Sequence, residues 1–230
     1  MPRLPRLSVL GVAQHVIQRG NNRQICFGCE SDFAAYVHWL KKYADKFNVD
    51  IHAWVFMTNH VHLLVTPYSA LGVSKMMQSL GRNYVQYFNY QYKRSGTLWE
   101  GRFRSCLIES EEYLLECYKY IELNPVRAAM VDSPVEYKWS SYMANAHGQG
   151  STLIKPHEVY SRLGGTASKR QEAYRALFHG QVNKEFIETL RVSTHKGMVI
   201  GSEKFKEQLE ALNGRKVDNL SMGRPKKLKK

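Results

Sequence analysis

The sequence has few cysteines, no long apolar run and few acidic residues. Its 230 residues include only four cysteines, too few for a disulfide scaffold at this length. No apolar run approaches the roughly 18 residues that span a bilayer. The N-terminus has two arginines before a short apolar stretch that breaks at Gln14, so it makes a poor signal peptide. These absences lead us to expect a cytoplasmic protein that has no membrane partner.

Basic residues outnumber acidic ones by 33 to 20, which gives a formal net charge of +13 at pH 7. An excess of this size favours a polyanionic partner, either nucleic acid or an anionic membrane surface. Because nothing else indicates a membrane, nucleic acid is the favoured partner. Apolar residues make up 43% of the chain, enough for a hydrophobic core, so disorder throughout is excluded.

Strand-like and helix-like segments alternate in the first part of the chain. Strands are predicted at residues 12–19, 51–57, 61–66 and 102–108. Helices are predicted to begin near Ser31, Ser69 and Ser110, and the last of them ends near Asn124 because Pro125 disfavours helical geometry at the preceding residue. The order βαββαβα, with a hairpin in the middle, predicts an α+β fold with an antiparallel sheet of ferredoxin or RNA-recognition (RRM) type.

The composition changes near Gly148, which divides the chain into three predicted parts. Residues 1–147 form the main domain, and residues 148–214 form a small helical appendage with short helices at 156–163, 168–178, 184–192 and 202–212. Residues 215–230 form a basic tail that we expect to be disordered. Its Gly-Arg-Pro segment is similar to the core of an AT-hook, which enters an AT-rich minor groove, so the tail predicts contacts with AT-rich flanking DNA. The residues concerned are Arg224, Lys226 and Lys227.

A His-hydrophobic-His sequence lies at the start of the third predicted strand. Residues i and i+2 of a strand point to the same face, so His60 and His62 can offer two nitrogen ligands to one metal ion. A chain with nine histidines contains this pattern by chance in about one case in three. The pair taken alone therefore leaves a structural role open.

The helix that precedes Asn124 contains three tyrosines, and a helical tyrosine more often packs in a core than takes part in chemistry. At 100° per residue, Tyr118 shares a face with Leu114 and Ile121, which predicts a buried ring. Tyr120 falls on a polar face and points the same way as Asn124, four residues later. This face can present a phenol and an amide oxygen together.

Two motifs, WVFMTNHVHLLVTP and YKYIELNPVRAAMV, together resemble the single-tyrosine transposases of the His-hydrophobic-His (HUH) nuclease superfamily. The similarity is greatest to the REP-associated tyrosine transposases of bacteria, and the segments HVIQRGNNRQ, GTLWEGRFRS and YKWSSY agree with it. The resemblance covers roughly residues 8–145. It implies a metal-dependent transposase that cleaves and rejoins single-stranded or hairpin DNA, such as REP-like palindromes, through a 5′-phosphotyrosine intermediate.

The resemblance also implies roles for individual residues. Tyr120 matches the nucleophile, His60 and His62 match the metal-binding pair, and Asn124 matches the polar ligand, where many relatives have the longer Gln. The implied ion is Mg²⁺ or Mn²⁺. DNA contacts are expected from basic and amide side chains outside this group, namely Arg19, Asn21, Asn22, Arg23, Arg82, Asn83, Gln86, Arg102 and Arg104.

Two other functions compete with this interpretation. A non-catalytic nucleic-acid-binding protein would use the same RRM-like sheet, with exposed aromatic side chains on its central strands. A metal-dependent hydrolase would use water instead of tyrosine as the nucleophile. A monomer and a homodimer that exchanges tyrosine helices are equally compatible with the sequence. The resemblance implies a bacterial protein associated with the nucleoid.

Overall fold

A five-stranded sheet with helices on both faces organises the protein. The structure is a computed structural model and describes residues 6–109, 112–180, 182–214 and 216–217. The strands are β1 (Gln14–Arg19), β2 (Val49–Met57), β3 (His60–Pro67), β4 (Arg104–Ile108) and β5 (Val199–Ile200). The α-helices are α1 (Glu30–Lys46), α2 (Gly72–Gln91), α3 (Glu112–Glu122), α4 (Asn124–Arg127), α5 (Tyr142–His147), α6 (Glu158–Ser161), α7 (Ala167–Ala176), α8 (Lys184–Lys196) and α9 (Glu203–Asn213).

The strands are arranged in the order β2-β3-β1-β4-β5. The first four are antiparallel to their neighbours, and β1 lies between β3 and β4. Crossovers through α1 and α2 make the sequential strands β1 and β2, and likewise β3 and β4, non-adjacent in the sheet. The predicted α+β fold with the order βαββαβα is therefore confirmed.

One face of the sheet is covered by α1 and α2. Alternate residues of the strands point to this face, as the two-residue period of a strand requires, and Val16, Val61 and Leu63 are fully buried there. Apolar residues recur at helical spacing along both helices, and the rings of Tyr36 and Tyr84 meet edge to face at 5.0 Å between their centroids. This layer is an apolar core with a large aromatic share.

The opposite face is covered by α3 and α8. Helix α3 lies across β2 and β3, whereas α8 lies across β4 and β1. Leu114, Tyr118 and Ile121 of α3 are fully buried in this layer, as their common helical face predicts. Because both faces are covered, β1 and β3 are buried along most of their length.

The chain after Gly148 contributes a strand to the sheet as well as helices. Strand β5 pairs in parallel with β4, so the sheet crosses the predicted boundary at residue 147. A strand of two residues is too short to show an alternating pattern, which is why the sequence did not predict it. The division into residues 1–147, 148–214 and 215–230 stays a prediction, and residues 218–230 of the tail lie outside the described part of the chain.

The predicted end of α3 near Asn124 agrees with the structure, but a second helix begins at once. Helix α3 ends at Glu122, and Asn124 opens α4. Pro125 occupies the first turn of α4, where its missing N–H is not needed for a helical hydrogen bond.

Within the described residues, no helix combines the length and apolar character that crossing a membrane requires.

Candidate active site

The two histidines of β3 lie on the sheet face that α3 covers. Their ring centroids are 5.0 Å apart and their planes are nearly perpendicular, at 78°. His62 is buried, with 2% of its surface exposed, whereas His60 is half-buried at the strand end. Both rings therefore lie on one face of the sheet, as the two-residue period of a strand predicts.

Strand β1 adds a third histidine to this face. Its register pairs Ile17 with His62 and Arg19 with His60, so His15 points in the same direction. His15 Nε2 lies 2.8 Å from His62 Nδ1, and the planes of the two rings are nearly parallel, at 14°. His15 Nδ1 lies 2.9 Å from the Thr194 hydroxyl of α8. The sequence analysis did not assign a role to His15. Its position on a predicted strand, four residues before Arg19, could have shown that both side chains point to the same face.

Helix α3 brings Tyr120, and not Tyr118, to these histidines. The ring centroid of Tyr120 is 5.6 Å from that of His62 and 5.8 Å from that of His15, both in edge-to-face geometry. The ring of Tyr118 faces away from them and packs against Tyr160 and Tyr174.

Asn124 completes the group at the start of α4. Its side chain lies beside His60 and acts on the pKa of that ring, raising it. His60 Nδ1 lies 2.6 Å from the side-chain oxygen of Asn59. No three His, Cys, Asp or Glu side chains form a metal-binding cluster in the described ranges.

Burial keeps the three histidine rings uncharged at neutral pH. Burial, and secondarily the charge of Arg19, lower the pKa of His60 to about 4. The pKa of His62 is well below its usual value for the same main reason, with the neighbouring histidines and arginines adding to the shift. Burial also lowers the pKa of His15 to about 3. A neutral imidazole retains one nitrogen lone pair, which a metal ligand requires.

The group opens into a cavity of about 500 Å³ whose wall is strongly basic. One carboxylate, Glu100, lies among the described lining residues beside five arginines, which are Arg19, Arg102, Arg104, Arg127 and Arg191. The guanidinium carbon of Arg127 lies 4.6 Å from the centroid of the Tyr120 ring. Positive charge at this density suits a bound phosphate. The sequence analysis did not single out Arg127 or Arg191, because their approach depends on helix packing.

The structure separates the predicted DNA-binding residues into several locations. Arg19, Arg102 and Arg104 line the cavity. The short 3₁₀ turn Asn21–Arg23 is exposed and directly follows strand β1. The α2 residues lie in the layer on the other face of the sheet, and Asn83 Nδ2 donates to the Tyr43 hydroxyl at 2.7 Å. The α2 set comprises Arg82, Asn83 and Gln86, while Arg224, Lys226 and Lys227 lie outside the described residues.

A buried carboxylate fixes the end of α3 between Tyr120 and Asn124. Glu122 is fully buried and accepts hydrogen bonds from the Ser141 hydroxyl, from Asn145 Nδ2 at 2.8 Å and from the Tyr174 hydroxyl at 2.7 Å. Burial raises the pKa of Glu122 to about 7, although the three hydrogen bonds act in the opposite direction. Two of these partners lie in or beside α5, and the third lies in α7. The later helices therefore hold α3 in place.

Replacing Glu122 with alanine is expected to lower the free energy of unfolding by about 3 kcal/mol. The Ser141 hydroxyl can turn to the backbone oxygen of Trp54, 3.2 Å away, but Asn145 Nδ2 and the Tyr174 hydroxyl lose their acceptor. Each unsatisfied buried group costs about 1–3 kcal/mol. Urea denaturation followed by circular dichroism measures the loss. Glu172→Ala, the same change at an exposed position of α7, is the matched control and should stay within about 0.5 kcal/mol of the original. Equal stability of the two variants would contradict the anchoring role.

Comparisons with known proteins agree with this fold. The sequence profile of the family described as "Transposase IS200 like" matches residues 8–124, just over half of the chain. A solved structure of a REP-associated tyrosine transposase, described as bound to a REP hairpin, superposes with a TM-score of 0.52 at 19% identity. It covers 69% of this chain and 93% of its own, which supports a shared fold. A search of curated proteins found no match.

Two further solved structures overlap less well. A protein from Deinococcus radiodurans R1, described provisionally as a transposase, gives a TM-score of 0.36 at 22% identity, covering 53% of this chain and 96% of its own. The tRNA(His) guanylyltransferase of Saccharomyces cerevisiae gives 0.41 at 11% identity, covering 79% and 84%. Both scores are too low to establish a shared fold.

The profile match extends from just before β1 through α3 to Asn124, and so includes both histidines of the pair and Tyr120. The chain belongs to the IS200-like transposase family. The family predicted from the two sequence motifs is thereby confirmed, and the protein is a transposase.

Proposed function

We propose that this transposase cleaves and rejoins single-stranded or hairpin DNA, with Tyr120 as the nucleophile. The observation that carries the proposal is the placement of the Tyr120 ring 5.6 Å from the His62 ring in a cavity rich in arginine. A buried aromatic ring that only fills a core has no need of a polar, basic cavity beside it. A nucleophile that attacks a phosphodiester requires one.

As part of this proposal, His60, His62 and Asn124 bind a divalent ion, Mg²⁺ or Mn²⁺. The donor set fits, because both rings are neutral and their Nδ1 atoms already have partners in Asn59 and His15, which leaves the Nε2 atoms as ligands. Two imidazoles and an amide oxygen form a mixed nitrogen and oxygen set that suits Mn²⁺ better than Mg²⁺, while Mg²⁺ is the more available ion. The bound ion would polarise the scissile phosphate and neutralise developing charge.

The chain's own residues would carry the transfer itself. The Tyr120 oxygen attacks the phosphorus in line, forming a tyrosine–phosphate bond as the bond to the 3′ oxygen breaks. Tyrosine loses one proton and the departing 3′ hydroxyl gains one, so the products are a 5′-phosphotyrosine and a free 3′ end. Arg127, above the Tyr120 ring, and Arg19 would hold the phosphate against the nucleophile. Attack by another 3′ hydroxyl reverses the step and joins strands.

The proposed substrate is bacterial DNA with a hairpin, by analogy with the REP hairpin in the solved relative. The exposed Asn21–Arg23 turn beside β1 is well placed for the DNA that leads into the cavity. The competing RRM-like mode of binding would need an open sheet with exposed aromatics on β1 and β3. Those strands are covered on both faces, which favours the cavity instead. A monomer would suffice, since the nucleophile and the histidines come from one chain.

Incubating the protein with a labelled single-stranded hairpin DNA and Mg²⁺ or Mn²⁺ distinguishes the three functions. A covalent adduct that survives denaturation supports the transferase. Released fragments without an adduct would instead show a hydrolase, and a gel shift without cleavage would show a binding protein. Either of the last two outcomes would overturn the proposal.

Deleting the residues after Leu220 should weaken binding to duplex flanks and flatten its salt dependence, while cleavage of a hairpin without flanks continues. The deletion removes Arg224 and four lysines, which can neutralise several phosphates and release their counterions. Fluorescence anisotropy at increasing salt measures the slope of log K against log salt. The same deletion tested on an AT-rich and a GC-rich flank reports on minor-groove recognition. An unchanged slope would show that the tail does not contact DNA.

A further inference from the structure

A helix beyond the family-matched segment reaches the proposed metal site. Thr194 lies in α8, whereas the family profile ends at Asn124. Its hydroxyl lies 2.9 Å from His15 Nδ1, and His15 Nε2 lies 2.8 Å from His62 Nδ1. The three side chains are almost completely buried, with exposed fractions of 4%, 2% and 2% from Thr194 to His62. They form a continuous hydrogen-bonded row from α8 through β1 to β3.

We propose that Thr194 and His15 are positioning residues that hold His62 in the one tautomer able to bind the metal ion. This inference rests on the proposed function, because it assumes that His62 is a metal ligand. It assigns a role in the active site to the C-terminal helical region. Partners of this kind, which fix the orientation and tautomer of a metal-binding histidine, are a general feature of metal sites.

If His62 binds a metal ion, the hydrogen bonds along this row of neutral side chains can run in one direction only, with His62 donating to His15 and His15 donating to Thr194. A His62 ring that binds metal through Nε2 must have its proton on Nδ1, and therefore donates to His15 Nε2. His15 must then have its own proton on Nδ1 and donate to the Thr194 hydroxyl oxygen. The opposite direction would place a proton on His62 Nε2 and block the ligand. Thr194 must therefore act as an acceptor.

The surroundings of Thr194 are compatible with that acceptor role. Its hydroxyl also lies 3.1 Å from Cys106 Sγ on β4, and a thiol sulfur is a weak acceptor. If the hydroxyl proton points to the sulfur, an oxygen lone pair is left for His15. The single hydroxyl can then serve both neighbours without conflict.

The neighbouring residue Asn59 holds His60 in the same tautomer. Asn59 Nδ2 donates to the backbone oxygen of Arg23 at 3.2 Å, which turns its side-chain oxygen toward His60. That oxygen can only accept, so His60 Nδ1 donates to it across 2.6 Å. The neighbour in the β2–β3 hairpin thus supports His60, whereas His62 depends on α8. A change at Thr194 should therefore affect the tautomer of His62 but not that of His60.

The experiment compares Mn²⁺ binding by the full chain without DNA, measured by electron paramagnetic resonance. Thr194→Val keeps the shape of the side chain but removes the hydroxyl, and is expected to weaken Mn²⁺ binding about tenfold or more. Thr194→Ser keeps the hydroxyl and should retain close to the original affinity. Ser193→Ala removes a buried hydroxyl from the adjacent position of α8 and should leave binding unchanged. Thermal unfolding confirms that each variant is folded.

A second measurement needs no variant. Long-range ¹H–¹⁵N spectra of the metal-free protein report which imidazole nitrogen carries the proton, and should show His62 protonated on Nδ1. Protonation on Nε2, or a folded Thr194→Val that binds Mn²⁺ like the original protein, would overturn the inference and leave the metal site intact. If the original protein binds no more Mn²⁺ than His62→Ala, the proposed metal site itself is wrong and the inference falls with it.

Discussion

Replacing Tyr120 with phenylalanine is expected to abolish the covalent protein–DNA adduct completely. The change removes only the hydroxyl oxygen that would attack the phosphorus, and no other atom of the ring can take its place. The ring itself remains beside His15 and His62 and under Arg127, so its packing survives. DNA binding should persist, because it depends mainly on arginines and lysines. Gel electrophoresis of a labelled hairpin after denaturation detects the adduct.

Tyr118→Phe is the matched control on the same helix. Tyr118 is fully buried against Tyr160 and Tyr174, so its ring can still pack and at most one hydrogen bond of roughly 1 kcal/mol is lost. This variant should form the adduct at close to the original rate. An adduct with Tyr120→Phe and none with a folded Tyr118→Phe would reverse the assignment of the nucleophile.

Replacing either His60 or His62 with alanine should reduce hairpin cleavage by at least ~100-fold in Mg²⁺ or Mn²⁺. Each change removes one of three proposed ligands, and with it the charge that would stabilise the phosphate in the transition state. Hairpin affinity should change little, since the arginines that line the cavity remain. Single-turnover cleavage and fluorescence anisotropy, measured on the same preparations, separate the two effects.

His38→Ala provides the control for a lost histidine. His38 is exposed on α1, in the layer on the opposite side of the sheet from the pair. Its removal should affect neither cleavage nor binding. Cleavage at the original rate in Mg²⁺ by a folded His60→Ala or His62→Ala variant would show that the metal assignment is wrong.

The later part of the chain contributes directly to the site in two ways. Ser141, Asn145 and Tyr174 hold the Glu122 carboxylate and so fix the helix that presents Tyr120. Thr194 reaches His62 through His15. A shortened chain that ended where the family match ends would lose both supports. We therefore expect the segment 8–124 alone to be a poor transposase, even though it contains all four proposed catalytic and metal-binding residues.

The sequence by itself determined the order of strands and helices, and it determined which face of its strand or helix each proposed site residue occupies. The two-residue period of a strand was enough to place His60 and His62 together, and the helical period was enough to separate Tyr120 from Tyr118. Both are local periodicities, which depend only on backbone geometry within one element. For the same reason the α+β architecture could be predicted from the alternation of strands and helices.

Only the tertiary structure decided which elements meet around those residues. His15 and Thr194 are separated by 179 positions, and their contact depends on the packing of α8 across β4 and β1. The placement of Arg82 on the far side of the sheet, and the pairing of β5 with β4, likewise depend on how layers and edges assemble. A periodic pattern states which face of an element is buried, but not which other element buries it. That choice is made by side-chain packing and strand register over the whole molecule.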